Sequence, residues 1–184
     1  KTLRQPTRIV AVSAAMLVAA LAGCGETRAS NEPPHAPAML TGQYNAASST
    51  AREATGGVSI ERGGLLFSKG VVLYTRTLNP RNGLERIARD GQSYASIATI
   101  PTDLTIELRR VSEQVLTNNA RGLCGDAAPG YVALAYGERA NTVTVLVFAG
   151  DEPPGPNATQ SRLCATLAYA APGGARTSQG VVLW

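Results

Sequence analysis

Reactive side chains are scarce in this chain of 184 residues: it has one histidine, His35, and three cysteines, Cys24, Cys124 and Cys164. Serine-hydrolase triads, metallopeptidases and most zinc sites draw on histidine as base or ligand. The single one here sits between Pro34 and the Ala36-Pro37 pair and reads as a solvated linker residue. Three acids, Asp126, Asp151 and Glu152, lie in loops near the later cysteines. Glycoside hydrolysis needs only two carboxylates roughly 5 to 10 Å apart, so that chemistry stays open beside the plainer reading of surface acids. Ser68-Lys69 has the residue types of a Ser-Lys hydrolase, but neighbours on a strand point to opposite faces. The glycines are scattered at turns and build no phosphate loop. These residues imply no metal and no cofactor, and the folded part reads as non-catalytic.

The strongest pattern is at the start of the chain. Lys1, Arg4 and Arg8 precede a weakly polar to apolar run from Ile9 to Ala22, which ends in Leu21-Ala22-Gly23-Cys24. At about 1.5 Å per residue the run is too short to remain as a helix across a roughly 30 Å hydrocarbon core, yet it suits a signal peptide. This segment resembles the lipobox of bacterial lipoprotein precursors. The resemblance implies that residues 1–23 are removed on export and that Cys24 is lipidated and becomes the first residue of a membrane-anchored protein. Two or more acyl chains anchor stably, at about 0.8 kcal/mol per buried methylene. By similarity to Gram-negative lipoproteins, Gly25 rather than Asp after the cysteine implies the outer membrane, with the domain facing the periplasm.

Removal of residues 1–23 changes the charge argument. The chain has 17 basic and 13 acidic residues and a net charge of +4. Lys1, Arg4 and Arg8 lie before Cys24 and no acid does, so the exported part is close to neutral. A nucleic-acid surface needs a dense Lys/Arg face, and none is expected. Arg109-Arg110, the one adjacent basic pair after the cut, reads as an exposed pair on a strand.

Lipidation of Cys24 leaves Cys124 and Cys164 in an exported chain, where oxidising machinery joins such a pair, so a Cys124–Cys164 disulfide is expected. Neither a CxxC spacing nor a nearby histidine suggests redox exchange or metal binding by these thiols.

Composition divides what remains. Residues 24–56, rich in Ala, Ser, Thr, Asn, Pro and Gly, read as a lipidated cysteine followed by a flexible tether. From 57 to 184 short apolar runs alternate with Gly, Pro and Asn, the texture of an all-β domain. Strands are expected at Leu65–Phe67, Val71–Leu78, Tyr94–Ile100, Tyr131–Tyr136, Thr142–Phe148, Leu163–Tyr169 and Val181–Trp184. The last reads as a closing strand packed into the core. Leu84–Arg89 reads as a helical turn or a strand. Leu104, Ile106 and Leu108 alternate with Thr105, Glu107 and Arg109 as on a strand with one buried face, although a helix from 104 to 116 is also compatible. The expected fold is a small antiparallel β-sandwich or barrel stapled by one disulfide.

The candidate binding loop is Gly150-Asp151-Glu152-Pro153-Pro154-Gly155-Pro156-Asn157, whose three prolines restrict it and so reduce the entropy lost on binding. Tyr131, Tyr136 and Tyr169 are candidates for an aromatic strip, or for half-buried core and rim positions. Gly173-Gly174-Ala175-Arg176-Thr177 resembles in part the inhibitory loop of membrane-bound lysozyme inhibitors. That resemblance implies that Arg176 meets the acidic catalytic pair of a lysozyme. It departs from the pattern at Gly173 and Thr177, and Phe67-Ser68-Lys69-Gly70, which is similar to the second loop, comes before it rather than after. The function expected is a non-catalytic binding or assembly role as an outer-membrane-anchored envelope lipoprotein. Its partners are then the membrane, through Cys24, and an envelope protein or the cell wall, with no nucleic acid. Inhibition of a cell-wall hydrolase is the alternative, and an envelope hydrolase the third reading.

Overall fold

The computed structural model describes residues 39–172 and, by main chain alone, 175–176 and 182–183; for residue 105 it likewise gives only the main chain. In chain order the elements are β1 (Gly42–Ala46), α1 (Ser49–Ala54), β2 (Val58–Glu61), β3 (Gly64–Phe67), β4 (Val71–Thr77) and β5 (Arg81–Asn82). Then follow α2 (Tyr94–Ala98), β6 (Thr105–Leu116), β7 (Pro129–Tyr136), β8 (Thr142–Ala149), β9 (Arg162–Ala170), β10 (Ala175–Arg176) and β11 (Val182–Leu183).

Eight of these strands make a closed antiparallel barrel in the order β4-β3-β2-β1-β9-β8-β7-β6, and β6 returns to pair with β4. Between the two expected sheet architectures, the chain therefore adopts the barrel. Closure depends on the length of β6: Ile106 to Arg110 pair with β7, while Arg109 to Leu116 pair with β4. A bulge bends the second half, because Tyr74 faces Glu113 and Thr75 faces Val111, leaving Ser112 without an opposite number. Such an extra residue raises the local twist and lets a strand turn a corner.

Alternation along the strands makes two cores. Inward residues, among them Leu65, Val71, Leu73, Val132, Leu134, Val145 and Leu167, fill the barrel. Outward residues of β6, β7 and β8, including Ile106, Leu108, Ala133, Leu146 and Phe148, form a second cluster with Ile87, Tyr94 and Ala98. The long excursion between β4 and β6, which carries β5 and α2, thus covers one side of the barrel. Both faces of β7 and β8 are buried, which is why they read as nearly continuous apolar runs.

The excursion corrects two expectations. Tyr94–Ala98 is a helix and not a strand: Ser93 caps it by accepting from the Ser96 N–H, and Tyr94, Ala95 and Ala98 share its buried face. Leu84–Arg89 is neither helix nor strand but turns, with one bridge from Arg86 to Ser93. At the strand-or-helix choice in 104–116, β6 is a strand.

A third correction concerns the tether. Its second half belongs to the barrel: β1 pairs with β2 and β9, and Leu40, Tyr44 and Ala51 are in the interior cluster. Ser48 caps α1 by accepting from the Ala51 N–H, and its hydroxyl also accepts from Ala168 of β9. A helix lying against an already filled barrel has room only for a small residue, here Ala51, so its composition resembles a linker. Residues 24–38, including Cys24 and His35, lie outside the described residues.

Val182 and Leu183 pair with Arg176 and Ala175 in a separate two-stranded sheet. They do not close the barrel, a task taken by β4 and β6; their side chains lie outside the described residues.

Candidate functional site

The most unusual chemistry of the described residues is inside the barrel. On β6 the inward positions include Glu107 and Arg109, and Arg109 is fully buried, the largest such side chain among the described residues. The expectation of one buried face on this strand, with Arg109 exposed, is thus corrected: Ile106 and Leu108 are buried outside the barrel by the excursion, while Glu107 and Arg109 are buried inside it. Arg110 points outward, half-buried, against Tyr131.

Glu107 and Arg109 form an ion pair of 2.7 Å, with the Arg109 Nε also donating to Glu107 Oε1 at 2.7 Å. Two of their further bonds go to a single residue, Leu40. The Leu40 N–H donates to Glu107 Oε2 at 2.9 Å, and Arg109 Nη2 donates to the Leu40 carbonyl at 3.0 Å. Tyr136 donates to Glu107 Oε2 at 3.0 Å, and Arg109 Nη1 donates to the Glu61 carbonyl. The carboxylate and guanidinium therefore hold both main-chain groups of Leu40, whose side chain is 1% exposed in the interior cluster.

Backbone geometry brings Leu40 there. Gly42, at the start of β1 and two residues after Leu40, has φ of 142°, a region that favours glycine. Met39-Leu40-Thr41 thus forms a strap across this end. Around it, burial pushes the Tyr44 phenol up to about 12. Burial also raises the Tyr136 phenol, as does the adjacent Glu107 charge. The Tyr44 hydroxyl is buried with no hydrogen-bond partner.

At the opposite end, α1 and the connection from β6 to β7 close the barrel. Thr55 bonds to the Tyr169 hydroxyl at 2.7 Å, and Cys124, carried by that connection, is joined by a disulfide to Cys164 of β9. The expected pairing is present. Ser68 and Lys69 occupy the β3–β4 turn, where each donates to a main-chain carbonyl, of Thr55 and Glu53. A hollow of about 560 Å³ lies beside them, walled on its other side by Asn118, Asn119 and Arg121.

The expected binding loop is pinned along its length. The Asp151 carbonyl accepts from Tyr131, whose hydroxyl also accepts from Arg110; the guanidinium stands 5.2 Å over the same ring. Glu152 accepts from the Thr159 and Gln160 main-chain N–H groups, which hold its carboxyl below the usual range. Tyr94 donates to the Pro154 carbonyl. Pro153 remains exposed and lines a hollow of about 620 Å³ with Met39, Thr77, Pro80 and Arg81, immediately beside the strap.

The three tyrosines considered as a strip are separated: Tyr169 is inside the barrel, Tyr131 is outside it under the Asp151 loop, and Tyr136 is at the strap end. Arg176 has main-chain placement in β10, and its side chain lies outside the described residues. Asp126 is exposed in the β6–β7 connection. Among the described residues no group of three or more His, Cys, Asp and Glu side chains is arranged to hold a metal.

Sequence reasoning missed Leu40, Glu107 and Arg109. A signal was present: opposite charges at i and i+2 of a strand share one face, and the faces of this strand are symmetrical enough in pattern to be exchanged. Comparison with protein-family models, with curated proteins and with solved structures finds no match to this chain.

Proposed function

We propose that this chain is an exported lipoprotein, anchored through Cys24 in the outer membrane, whose barrel is a non-catalytic binding or assembly element of the envelope. The observation that carries the reading is the Cys124–Cys164 disulfide. Such bonds persist in oxidising compartments, where the lipobox resemblance sends the chain. The filled interior adds a second support: with side chains packed through the barrel and a strap, a helix and a loop at its ends, contacts with a partner fall on the outside and the rims.

The revised boundary shortens the distance between anchor and domain. From Cys24 to Met39 the chain reaches at most about 50 Å at roughly 3.5 Å per residue.

Metabolic labelling with a radioactive fatty acid in a Gram-negative host tests the anchor: label on the wild-type chain and none on Cys24→Ser is the expected result. Label retained by Cys24→Ser sinks it. Crosslinking of the anchored protein in intact envelopes then tests the binding role. A discrete partner captured by the full anchored chain and not by an anchored segment ending at residue 38 supports it, and capture of lipid alone overturns it.

A further inference from the structure

We infer that the strap end of the barrel is a binding site for an extended peptide carrying a leucine-sized side chain, and that Met39-Leu40-Thr41 occupies this site in cis. The inference stands on the barrel alone and does not depend on the anchor.

Four observations lead to it. First, Glu107 and Arg109 read a peptide main chain: one accepts the N–H and the other donates to the C=O of the same residue, while the side chain of that residue enters an apolar interior. A carboxylate and a guanidinium are selective for those groups in this arrangement, and any extended segment offers them. Second, stability alone does not call for charges here, because buried ion pairs are commonly matched or exceeded by apolar residues of the same volume.

Third, the occupant lies outside the ladders of β1. Those begin at Gly42, which pairs with Ile60 of β2, and at Asn45 and Ala46, which pair with Ala170 and Tyr169 of β9, while Leu40 makes a single bridge, so the segment can be displaced without breaking either ladder. Fourth, the Tyr44 hydroxyl is buried in the same barrel without a partner, so Leu40 leaves a polar atom there unused. Opening of the strap exposes the charged pair and its apolar pocket, and a peptide in trans takes the place of Leu40. By mass action, the strap lowers the apparent affinity for that peptide by the fraction of time it is closed.

The test uses the full chain and a fluorescent synthetic peptide with the sequence of residues 38–46, with a scrambled peptide as control. Leu40→Asp places a charge in the apolar interior that the leucine side chain fills, and so opens the strap. Fluorescence anisotropy is expected to give at least tenfold tighter binding to Leu40→Asp than to the unaltered chain, and loss of that gain when Arg109→Met is added. A Leu40→Asp protein with native near-ultraviolet dichroism and unreactive thiols that binds no better than the unaltered chain overturns the inference. So does equal binding of the scrambled peptide. Hydrogen exchange on the unaltered chain decides the matter if Leu40→Asp does not fold. The Leu40 amide is expected to exchange at least a hundredfold faster than that of Val132 in β7, and equal protection of the two means that the strap never opens by itself.

Discussion

Cys164 is the residue that β9 has in excess over β8, and it is bonded to Cys124. Val147 faces Ala165 and Phe148 faces Leu163, so Cys164 stands in a bulge between them. A bulge re-aims a side chain that regular pairing commits to one face. Here it allows the sulfur to meet the β6–β7 connection, which carries no strand of its own.

The bond closes a loop of 40 residues, and in the chain-entropy account it restricts the unfolded state by an amount worth about 4 kcal/mol. The double variant Cys124→Ser/Cys164→Ser is therefore expected to lose several kcal/mol in urea unfolding. Thiol labelling of the unaltered chain without reductant should leave both cysteines unmodified. Full reaction of the two under native conditions contradicts the pairing.

How much of this was legible in the sequence differs by element. The strands β3, β4, β7, β8 and β9 follow from apolar runs and turn residues, and the disulfide follows from export and cysteine count. The inside and outside of β6 do not. Its alternation is genuine, but the excursion with Tyr94 and Ile87 buries the outer face as well, so the apolar residues went outside and the charged ones inside. Only long-range packing decides such a choice. Likewise, Tyr94–Ala98 carries aromatic and β-branched residues suited to a strand, and a five-residue helix is too short for a periodicity to declare itself. The start of the domain was hidden because α1 uses alanine, serine and threonine to fit beside a full barrel.

Removal of one partner from the buried pair leaves the other charge without compensation. Arg109→Ala strands the Glu107 carboxylate and the Leu40 carbonyl, and a loss of about 3 to 5 kcal/mol is expected. The double change Glu107→Leu/Arg109→Met removes both charges and keeps the volume, so it should be less destabilising than Arg109→Ala alone. Urea unfolding of Arg109→Ala, of the single variants Glu107→Leu and Arg109→Met, and of the double provides the comparison. Additive losses mean that the two side chains act independently.

The domain boundary at the strap predicts a sharp difference between two truncations. A chain beginning at Met39 keeps β1 and α1 and is expected to fold with its disulfide intact. One that begins at Val58 lacks the strand between β2 and β9, opens the barrel along two edges, and removes Ala51 and Leu40 from the core. Exposed edges of that kind invite aggregation. Near-ultraviolet dichroism and size-exclusion chromatography distinguish the outcomes, and a native, monomeric Val58 chain would falsify the assignment of residues 40–56 to the barrel.

Burial of phenols makes the fold sensitive to base. Tyr44 rises from an ordinary value near 10.0 to about 12 through desolvation. Burial also raises Tyr94, Tyr136 and Tyr169, with the Glu107 charge adding to the effect at Tyr136. A raised folded value means that the unfolded chain releases its phenolic protons first as pH increases. Stability is thus fully present below pH 10 and falls as pH climbs from there through the folded values. The melting temperature is expected to decline steadily over that range. Phenolate absorbance should follow the unfolding of these four tyrosines rather than precede it. If all six tyrosines of the chain titrate near pH 10 while the melting temperature is unchanged, the phenols are not buried as the barrel requires.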